Sequence, residues 1–393
     1  MALAGSAGAA EAPKDLVPKA PCANATCHAD FAKRRFVHGP VAAKECSVCH
    51  TWKDNKHSFT LASKGTKLCT ECHDDVLIEK KKDRKLVVHK PVREDCATCH
   101  DPHGADNSAL LSMSVVAMCG TCHDKTLAVA KDKATLFKHS AVLEGKACLN
   151  CHAAHTSEAP KLLAASSMAV CLGCHDKAVK AGSRTIAGIK EEITAKKYVH
   201  GPIEDKDCTS CHAVHGSKVF ALLSGEYPEK FYAPFAPAAY GLCFGCHESK
   251  LALDAETKSL TGFRNGTRNL HYLHVNRAVK GRTCRACHGT HAADQANMVR
   301  ASVPFGPSRW ALPIQFTKTR TGGSCASGCH EYRSYDRDKP VSYESPEQPP
   351  KEPAKPQAPE PAKEPEKAKE PEKAKEPEKA IAPEKAKAPE KGK

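Results

Sequence analysis

The sequence predicts a mostly α-helical and irregular fold, elongated and with little or no sheet, in which something other than side chains fills the interior. Aromatic residues make up only 5% of the 393 residues, fewer than the core of a chain this long normally contains. The chain also holds 22 cysteines and 22 histidines. These recur at regular intervals, and repeats that stack only on their neighbours give extended bodies.

The cysteines form eleven pairs, and a histidine directly follows each pair. In nine pairs the spacing is Cys-x-x-Cys-His, which places both thiols on one face of a helical turn with the imidazole on the same side. Two such thiols can reach the two vinyl groups of one porphyrin, and this motif is the attachment signal for haem c. The nine regular sites are Cys46/Cys49/His50, Cys69/Cys72/His73, Cys96/Cys99/His100, Cys119/Cys122/His123, Cys148/Cys151/His152, Cys171/Cys174/His175, Cys208/Cys211/His212, Cys243/Cys246/His247 and Cys284/Cys287/His288.

Two widened motifs flank the regular ones. Four residues separate the thiols in Cys22/Cys27/His28 and three in Cys325/Cys329/His330. A larger loop can still bring both thiols to the vinyl groups, so we expect about eleven covalently bound haem c groups; a non-haem role is the alternative at these two sites. Zinc ribbons, iron–sulfur clusters and disulfide frameworks do not require a histidine after every cysteine pair.

Eleven histidines lie outside the motifs, which is enough to give each expected haem a second axial ligand. The five methionines are too few for general His/Met ligation, so we predict mostly bis-histidine iron, which has a lower potential. Because imidazoles three residues apart cannot easily take opposite faces of one iron, the later histidine of a CxxCHxxH run should ligate a neighbouring haem. The candidates, of which His271 and His274 are alternatives to each other, are His38, His57, His89, His103, His139, His155, His200, His215, His271, His274 and His291.

The chain divides into three predicted segments. Residues 1–20 are a disordered leader remnant, and residues 21–335 form a domain of about five two-haem repeats plus one extra haem. Residues 336–393 form a Lys/Glu/Pro-rich tail that cannot bury enough apolar area to fold. Each repeat contains an upstream histidine, CxxCH, xxH, an apolar pair such as Leu110–Leu111 and a second CxxCH. The longest helix is predicted within residues 186–197.

The formal charge of +14 would ordinarily suggest a nucleic-acid partner. Each haem carries two propionates, however, and the excess lysines and arginines are better explained as their partners, so no nucleic acid is expected. No apolar stretch is long enough for a transmembrane segment. The first residues lack the regions of a signal peptide, but haem attachment implies export; we therefore expect an extracytoplasmic protein whose leader is missing from the sequence, or whose Met1 was introduced.

The paired motifs in residues 96–123, 148–175 and 208–247 resemble the doubled-CXXCH family of multihaem c-type cytochromes. Over residues 38–330 the chain also resembles the decahaem outer-membrane conduit cytochromes of metal-respiring bacteria. This resemblance implies an electron-transfer conduit, held partly in a porin, between the periplasm and an extracellular acceptor. The eleventh site, the two widened motifs and the tail depart from that pattern.

Three functions compete at this stage. The first is an electron conduit or carrier that exchanges electrons with other redox proteins or terminal acceptors and has no catalytic residues, because eleven candidate distal histidines leave no iron open. The second is a subunit of an extracellular filament built from copies of the chain. The third is a multihaem reductase, which needs one open haem; its usual CxxCK motif is absent, but a bystander role for His271 or His274 would leave an iron open.

Overall fold

The computed structural model describes residues 28–53, 58–76, 85–181 and 184–343. These belong to one unit, Met1–Val341, except for the first two residues of a second unit, Ser342–Lys393. The predicted leader remnant, most of the predicted tail, and the site residues Cys22, Cys27 and His57 lie outside the described residues.

The described helices are short because glycine, proline and the attachment motifs interrupt the chain every few residues. Three of them begin directly after a non-motif histidine with a proline in the first turn, where a missing N–H costs nothing. The longest described α-helix is Asp124–Lys131, so the prediction for residues 186–197 is wrong: Ile186 ends a strand and the helix there has seven residues. The α-helices are Gly39–Ala42, Thr66–Thr70, Lys90–Glu94, Val115–Gly120, Asp124–Lys131, Ser167–Leu172, Ile189–Ala195, Gly201–Glu204, Gly241–Phe244, Lys250–Leu253 and Leu270–Val275.

Short 3-10 helices occur at the first attachment motif of several repeats and at the turns that follow. They are Ala29–Lys33, Cys46–Val48, Cys96–Thr98, Ser108–Leu110, Ser140–Val142, Ala147–Asn150, Pro160–Leu162, Phe220–Leu222, Pro237–Tyr240, Cys284–Ala286 and Ala296–Met298. None of the helices in the described part of the chain has the length and apolar composition that crossing a bilayer requires.

The prediction of a mostly helical fold with little or no sheet is wrong. The described strands form seven two-stranded sheets and one four-stranded sheet, and every pairing is antiparallel. The two-stranded sheets are Phe36–Val37 with Gly104–Ala105, His50–Trp52 with Phe59–Leu61, Val87–Val88 with Thr156–Ser157, Val179–Ala181 with Arg184–Ile186, Tyr198–Val199 with Ala292–Ala293, Tyr232–Ala233 with Gly281–Arg282, and Arg264–Asn265 with Arg268–Asn269.

Three of these short sheets join one repeat to the next. In each, the two residues before an upstream histidine pair with the two residues after the CxxCHxxH run of the following repeat, as when Val87–Val88 pairs with Thr156–Ser157. The backbone continues the pairing at the histidines themselves: His89 N donates to His155 O at 2.9 Å and His200 N to His291 O at 3.0 Å. Two-residue strands are too short to show an alternating pattern, so the sequence could not predict them.

The four-stranded sheet lies at the C-terminal end of the described chain and contains Ser302–Phe305, Trp310–Lys318, Gly322–Ser327 and His330–Asp336 in sequential order. Its buried face holds Val303, Leu312 and Ile314, which pack with Val299 into one apolar cluster. The alternation of Leu312 and Ile314 with exposed Pro313 and Gln315 is the period-two pattern of a half-buried strand. That pattern was present in the sequence and was missed.

Candidate haem-attachment sites

A single backbone turn shapes eight of the nine regular motifs. The histidine N–H donates to the carbonyl oxygen of the first cysteine, four residues earlier, at 2.9 to 3.1 Å, beginning with His73 to Cys69 and ending with His288 to Cys284. This is the hydrogen bond of an α-helical turn. It places both thiols and the imidazole on one side of the chain, which is the arrangement that the spacing predicts.

The first-motif histidine of four repeats is oriented by a tight turn that follows it. Its Nδ1 donates to the carbonyl oxygen of a residue with positive φ: His100 to Ala109, His152 to Lys161, His212 to Ala221 and His288 to Asn297, at 2.7 to 3.0 Å. Each of these residues is followed by a second one with positive φ, the geometry of a type I′ turn. The apolar pair that recurs in the sequence thus belongs to a turn that fixes the imidazole tautomer and leaves Nε2 free for a metal.

Four non-motif histidines are held in the same way. Nδ1 donates to a backbone carbonyl oxygen in His38 (Pro102, 2.8 Å), His89 (Ala154, 3.0 Å), His139 (Val214, 3.1 Å) and His274 (Leu270, 2.7 Å). For His38, His89 and His139 the acceptor lies directly before the second histidine of a CxxCHxxH run in the next repeat. These imidazoles therefore also present Nε2 outward.

The histidine rings come together in pairs, each joining one motif histidine and one non-motif histidine. Ten such pairs occur in the described residues, with ring centroids 5.9 to 6.4 Å apart and planes within 4 to 37° of each other. The pairs are His73–His38, His50–His103, His123–His89, His100–His155, His175–His139, His152–His215, His247–His200, His212–His291, His288–His271 and His330–His274.

The separation of the paired rings fits one iron between them. Metal–imidazole bonds are about 2 Å long and the ring centre lies about 1 Å further on, so a shared iron holds the centroids roughly 6 Å apart. Rings in direct contact can lie closer, as Phe31 and His103 do at 4.5 Å. Two imidazoles are only two ligands; a porphyrin supplies the other four nitrogens and would be held by the adjacent cysteine pair. The residues present therefore fit haem c.

The pairs follow one rule along the chain. The upstream histidine of a repeat faces the second motif histidine of the same repeat, as His89 faces His123. The first motif histidine faces the last histidine of the next CxxCHxxH run, as His100 faces His155. Each repeat thus places an imidazole opposite a motif histidine of the repeat before it.

The last repeat places both His271 and His274, the two alternatives from the sequence, opposite motif histidines. No further repeat follows His288, and helix Leu270–Val275 provides both missing partners: His271 faces His288 and His274 faces His330. That both histidines are ligands stays a prediction. Asn269 caps the helix by accepting hydrogen bonds from the N–H groups of His271 and Tyr272.

Burial keeps many of the paired imidazoles neutral. It lowers the pKa of His50, His155, His212 and His288, and it lowers that of His271 to about 4. A neutral imidazole is the form that binds a metal. The side chains are therefore in the ligating state at neutral pH.

Thiols of consecutive motifs lie beside one another. Cys69 hydrogen-bonds to Cys96, Cys119 to Cys148, Cys171 to Cys208 and Cys243 to Cys284, each time linking the second motif of one repeat to the first motif of the next. Within a repeat, burial and the neighbouring Cys122 raise the pKa of the Cys99 thiol, and burial and Cys174 raise that of Cys151. None of the twenty described cysteines forms a disulfide. The attachment sites thus follow one another in space in their order along the chain.

The second cysteine of each regular motif, for example Cys49, Cys72 or Cys246, lies outside this row of hydrogen-bonded thiols. The side chains of four of these second cysteines are exposed, those of Cys72, Cys122, Cys174 and Cys246. The reason is helical geometry: three residues along a turn rotate the second thiol by about 60° from the first, so both cannot face the next motif. Haem attachment at the individual cysteines stays a prediction.

The widened site Cys325/Cys329/His330 lies on the hairpin between the last two strands of the four-stranded sheet. His330 Nδ1 donates to the carbonyl oxygen of Glu331 at 2.6 Å. At the other widened site only His28 is described; its ring stacks on Phe31 at 5.6 Å. Cys22, Cys27 and the candidate ligand His57 lie outside the described residues.

Sequence reasoning missed the groups that contact the outer imidazole nitrogens. Backbone carbonyl acceptors leave no mark in a sequence. Glu192, whose Oε2 lies 3.3 Å from His291 Nδ1, is 99 residues away from its partner, and Thr261 contacts His271 Nδ1 through its hydroxyl group at 3.3 Å. Burial alone would raise the pKa of the Glu192 carboxyl group, but hydrogen bonds from His291 and Lys196 outweigh it and lower the pKa to about 2.

The motifs, their paired imidazoles and their ordered thiols define a class of protein, the multihaem c-type cytochromes. The family model for the doubled CXXCH motif matches the chain four times, at residues 38–77, 89–128, 139–180 and 200–252, and the chain belongs to this family. No curated protein matches it. Proteins of this class carry electrons on covalently bound haem c and are extracytoplasmic.

Proposed function

We propose that this chain is an electron conduit, in which electrons pass from site to site along the order of the attachment motifs. The observation that carries the proposal is the set of ten near-parallel imidazole pairs, each with room for one iron. By the same repeat rule, His57 would serve His28, which gives eleven bis-histidine sites in all. Haem c, when bound, supplies reversible one-electron chemistry at its iron.

The residues of the chain provide the rest. Each cysteine pair would hold one porphyrin through two thioether bonds, while the facing imidazoles occupy both axial positions. Every motif histidine from His50 onward faces a second imidazole, an arrangement that favours electron transfer over the binding of a substrate at the metal. Two neutral histidine ligands also favour low reduction potentials. These features support a carrier rather than a reductase.

The order of the sites supports transfer along the chain rather than at isolated positions. Hydrogen-bonded thiols such as Cys119 with Cys148, and Cys171 with Cys208, bring the last site of one repeat next to the first site of the following one. Crossed imidazoles, such as His155 opposite His100, tie the same repeats together. An electron entering at one end would thus meet a neighbouring site at every step.

We propose further that the conduit carries electrons from a periplasmic donor to an acceptor at or beyond the outer membrane. Covalent haem attachment and the resemblance to decahaem conduit proteins over residues 38–330 support this direction. The partners would be other redox proteins or terminal acceptors, with a porin as the membrane component.

Removal of a central site tests transfer through the chain. A ruthenium photoreductant is attached at position 320, in the turn before the strand that carries Cys325, and freeze-quench electron paramagnetic resonance (EPR) follows which ferric signals disappear after a flash. The variant Cys171→Ser/Cys174→Ser should stop electrons from reaching the sites nearer the N-terminus. The control variant Cys69→Ser/Cys72→Ser should leave arrival at the central sites unchanged. Equal rates of arrival at the N-terminal sites with and without the central site would refute the conduit.

A further inference from the structure

One imidazole pair has a largely buried carboxylate at the outer nitrogen of one of its rings. The non-motif histidines His38, His89, His139 and His274 donate from Nδ1 to backbone carbonyl oxygens. The Nδ1 of His291 instead lies 3.3 Å from the carboxylate oxygen Oε2 of Glu192, and its ring faces His212. The site held by His212 and His291 therefore has a negatively charged hydrogen-bond acceptor behind one of its ligands.

The position of Glu192 is fixed from two sides. It lies on helix Ile189–Ala195, between the third repeat and the upstream His200 of the fourth, with its side chain only 19% exposed. Its other carboxylate oxygen, Oε1, lies 3.0 Å from Nζ of Lys196, four residues on, so the cation holds the carboxylate in place. A second carboxylate near an axial imidazole is weaker: Asp101 lies 3.6 Å from His103 Nδ1, and both side chains are more than a third exposed, where water screens the interaction.

A carboxylate that accepts the Nδ1 proton gives the imidazole more anionic character and makes Nε2 a stronger electron donor to a bound metal. A stronger donor stabilises ferric iron more than ferrous iron, and second-shell hydrogen bonding is one of the means by which a protein sets a haem potential. Partial burial strengthens the effect because the local dielectric is low.

We propose that Glu192 is a positioning residue that lowers the reduction potential of the haem held between His212 and His291 relative to the haems whose imidazoles donate to backbone carbonyls. This inference rests on the proposed function. A haem bound here would receive its electron from a neighbouring haem or an external donor, and His291 would keep its Nδ1 proton and Glu192 its charge in both oxidation states. This site would then have a lower reduction potential than the sites whose imidazoles donate to backbone carbonyl oxygens.

The test compares the holoprotein with four variants in a redox titration followed by EPR. Glu192→Gln keeps the size of the side chain but removes its charge. It should raise the reduction potential of one haem by about 59 mV, which corresponds to about tenfold in the one-electron equilibrium constant. The g-value spread of the same ferric signal should widen as the imidazole loses anionic character. Glu191→Gln, on the exposed side of the same helix, is the matched control and should leave both unchanged. The inference is overturned if the reduction potential is unchanged in Glu192→Gln, or if Glu191→Gln shifts it by the same amount.

The third variant, Lys196→Met, leaves the carboxylate to His291 alone. It should lower the reduction potential of the same haem. The fourth variant, Lys190→Met, removes an exposed charge and should leave that potential unchanged. An unchanged or raised potential in Lys196→Met counts against the proposed role of Glu192. The two lysine variants also test the role of Glu192 if the Glu192→Gln protein loses haem. Haems that titrate normally with no effect of Glu192 contradict only this inference, while a protein without redox-active haem contradicts the proposed function itself.

Discussion

The ring of His271 lies 6.3 Å from that of His288, with the two planes 20° apart. In earlier repeats the equivalent partner comes from the following CxxCHxxH run, but none follows His288. Helix Leu270–Val275 provides the partner instead and, with His274, also serves His330. One helical turn thus completes the last two sites of the chain.

This relationship predicts that both histidines are ligands. His271→Ala and His274→Ala should each convert one haem from low spin to high spin, because each removes one axial imidazole from a different iron. Ferric EPR of the purified holoprotein measures the number of high-spin haems. Tyr272→Phe, on the same helix, is the control and should stay wholly low spin. If either histidine variant also remained low spin, that histidine would be a bystander.

The repeat rule predicts that His57 ligates the iron of His28, although His57 lies outside the described residues. His57→Ala should then produce one high-spin haem. In a protein that already lacks this site, the variant Cys22→Ser/Cys27→Ser, adding His57→Ala should produce none, because the iron it serves is gone. A high-spin signal in the triple variant would show that His57 serves another haem.

The close packing of Gly322 predicts that the four-stranded sheet supports the last attachment site. A Cβ at Gly322 would overlap the carbonyl oxygen of Tyr335 on the neighbouring strand, so Gly322→Ala should force the hairpin that carries Cys325 and Cys329 apart, at a cost of about 1–3 kcal/mol. Intact mass should then show one haem fewer in part of the population. Gly201→Ala, where a Cβ would meet nothing within 4 Å, should keep full haem content; equal haem loss in both would contradict the prediction.

The turn after the first motif predicts a backbone effect at Ala109, which has φ of 55° and accepts the Nδ1 hydrogen bond of His100. A β-branched residue tolerates this conformation poorly, so Ala109→Val should destabilise the holoprotein by about 1–2 kcal/mol. Ala109→Gly should be tolerated, since glycine adopts positive φ freely. Denaturant unfolding followed at the Soret band measures both. Equal stability of the two variants would argue against a role for this turn.

The pKa of Asp336 predicts how the end of the sheet responds to acid. The carboxylate accepts hydrogen bonds from the Thr321 hydroxyl group at 2.5 Å and from the N–H groups of Lys339 and Asp338, and these lower its pKa to about 2. A lowered pKa contributes stability above the ordinary value of 3.8, and this contribution is lost as the pH falls toward 2. Asp336→Asn should therefore reduce stability at neutral pH and flatten its dependence between these values. An unchanged acid profile in unfolding curves would contradict this.

The sequence was most informative where chemistry fixes spacing. Cysteine and histidine positions identified the haem motifs. The position of His103 or His155 after a motif indicated ligation of a neighbour, but only the fold shows which motif histidine each ring faces. Residues such as Val87–Val88 were unpredictable as strands because their partners lie in another repeat. The sheet from residue 302 to 336 was missed although Leu312 and Ile314 alternate with exposed residues. Glu192 had no local signal, since its contact with His291 spans 99 residues.

The most direct test of the account is a crystal structure of the mature holoprotein with anomalous diffraction at the iron edge. We predict one iron midway between the rings of each described pair, from His50–His103 to His274–His330, and a further iron between His28 and His57. Irons bound to other histidine partners, a metal other than iron at these positions, or cysteine pairs without attached porphyrin would contradict the central claim.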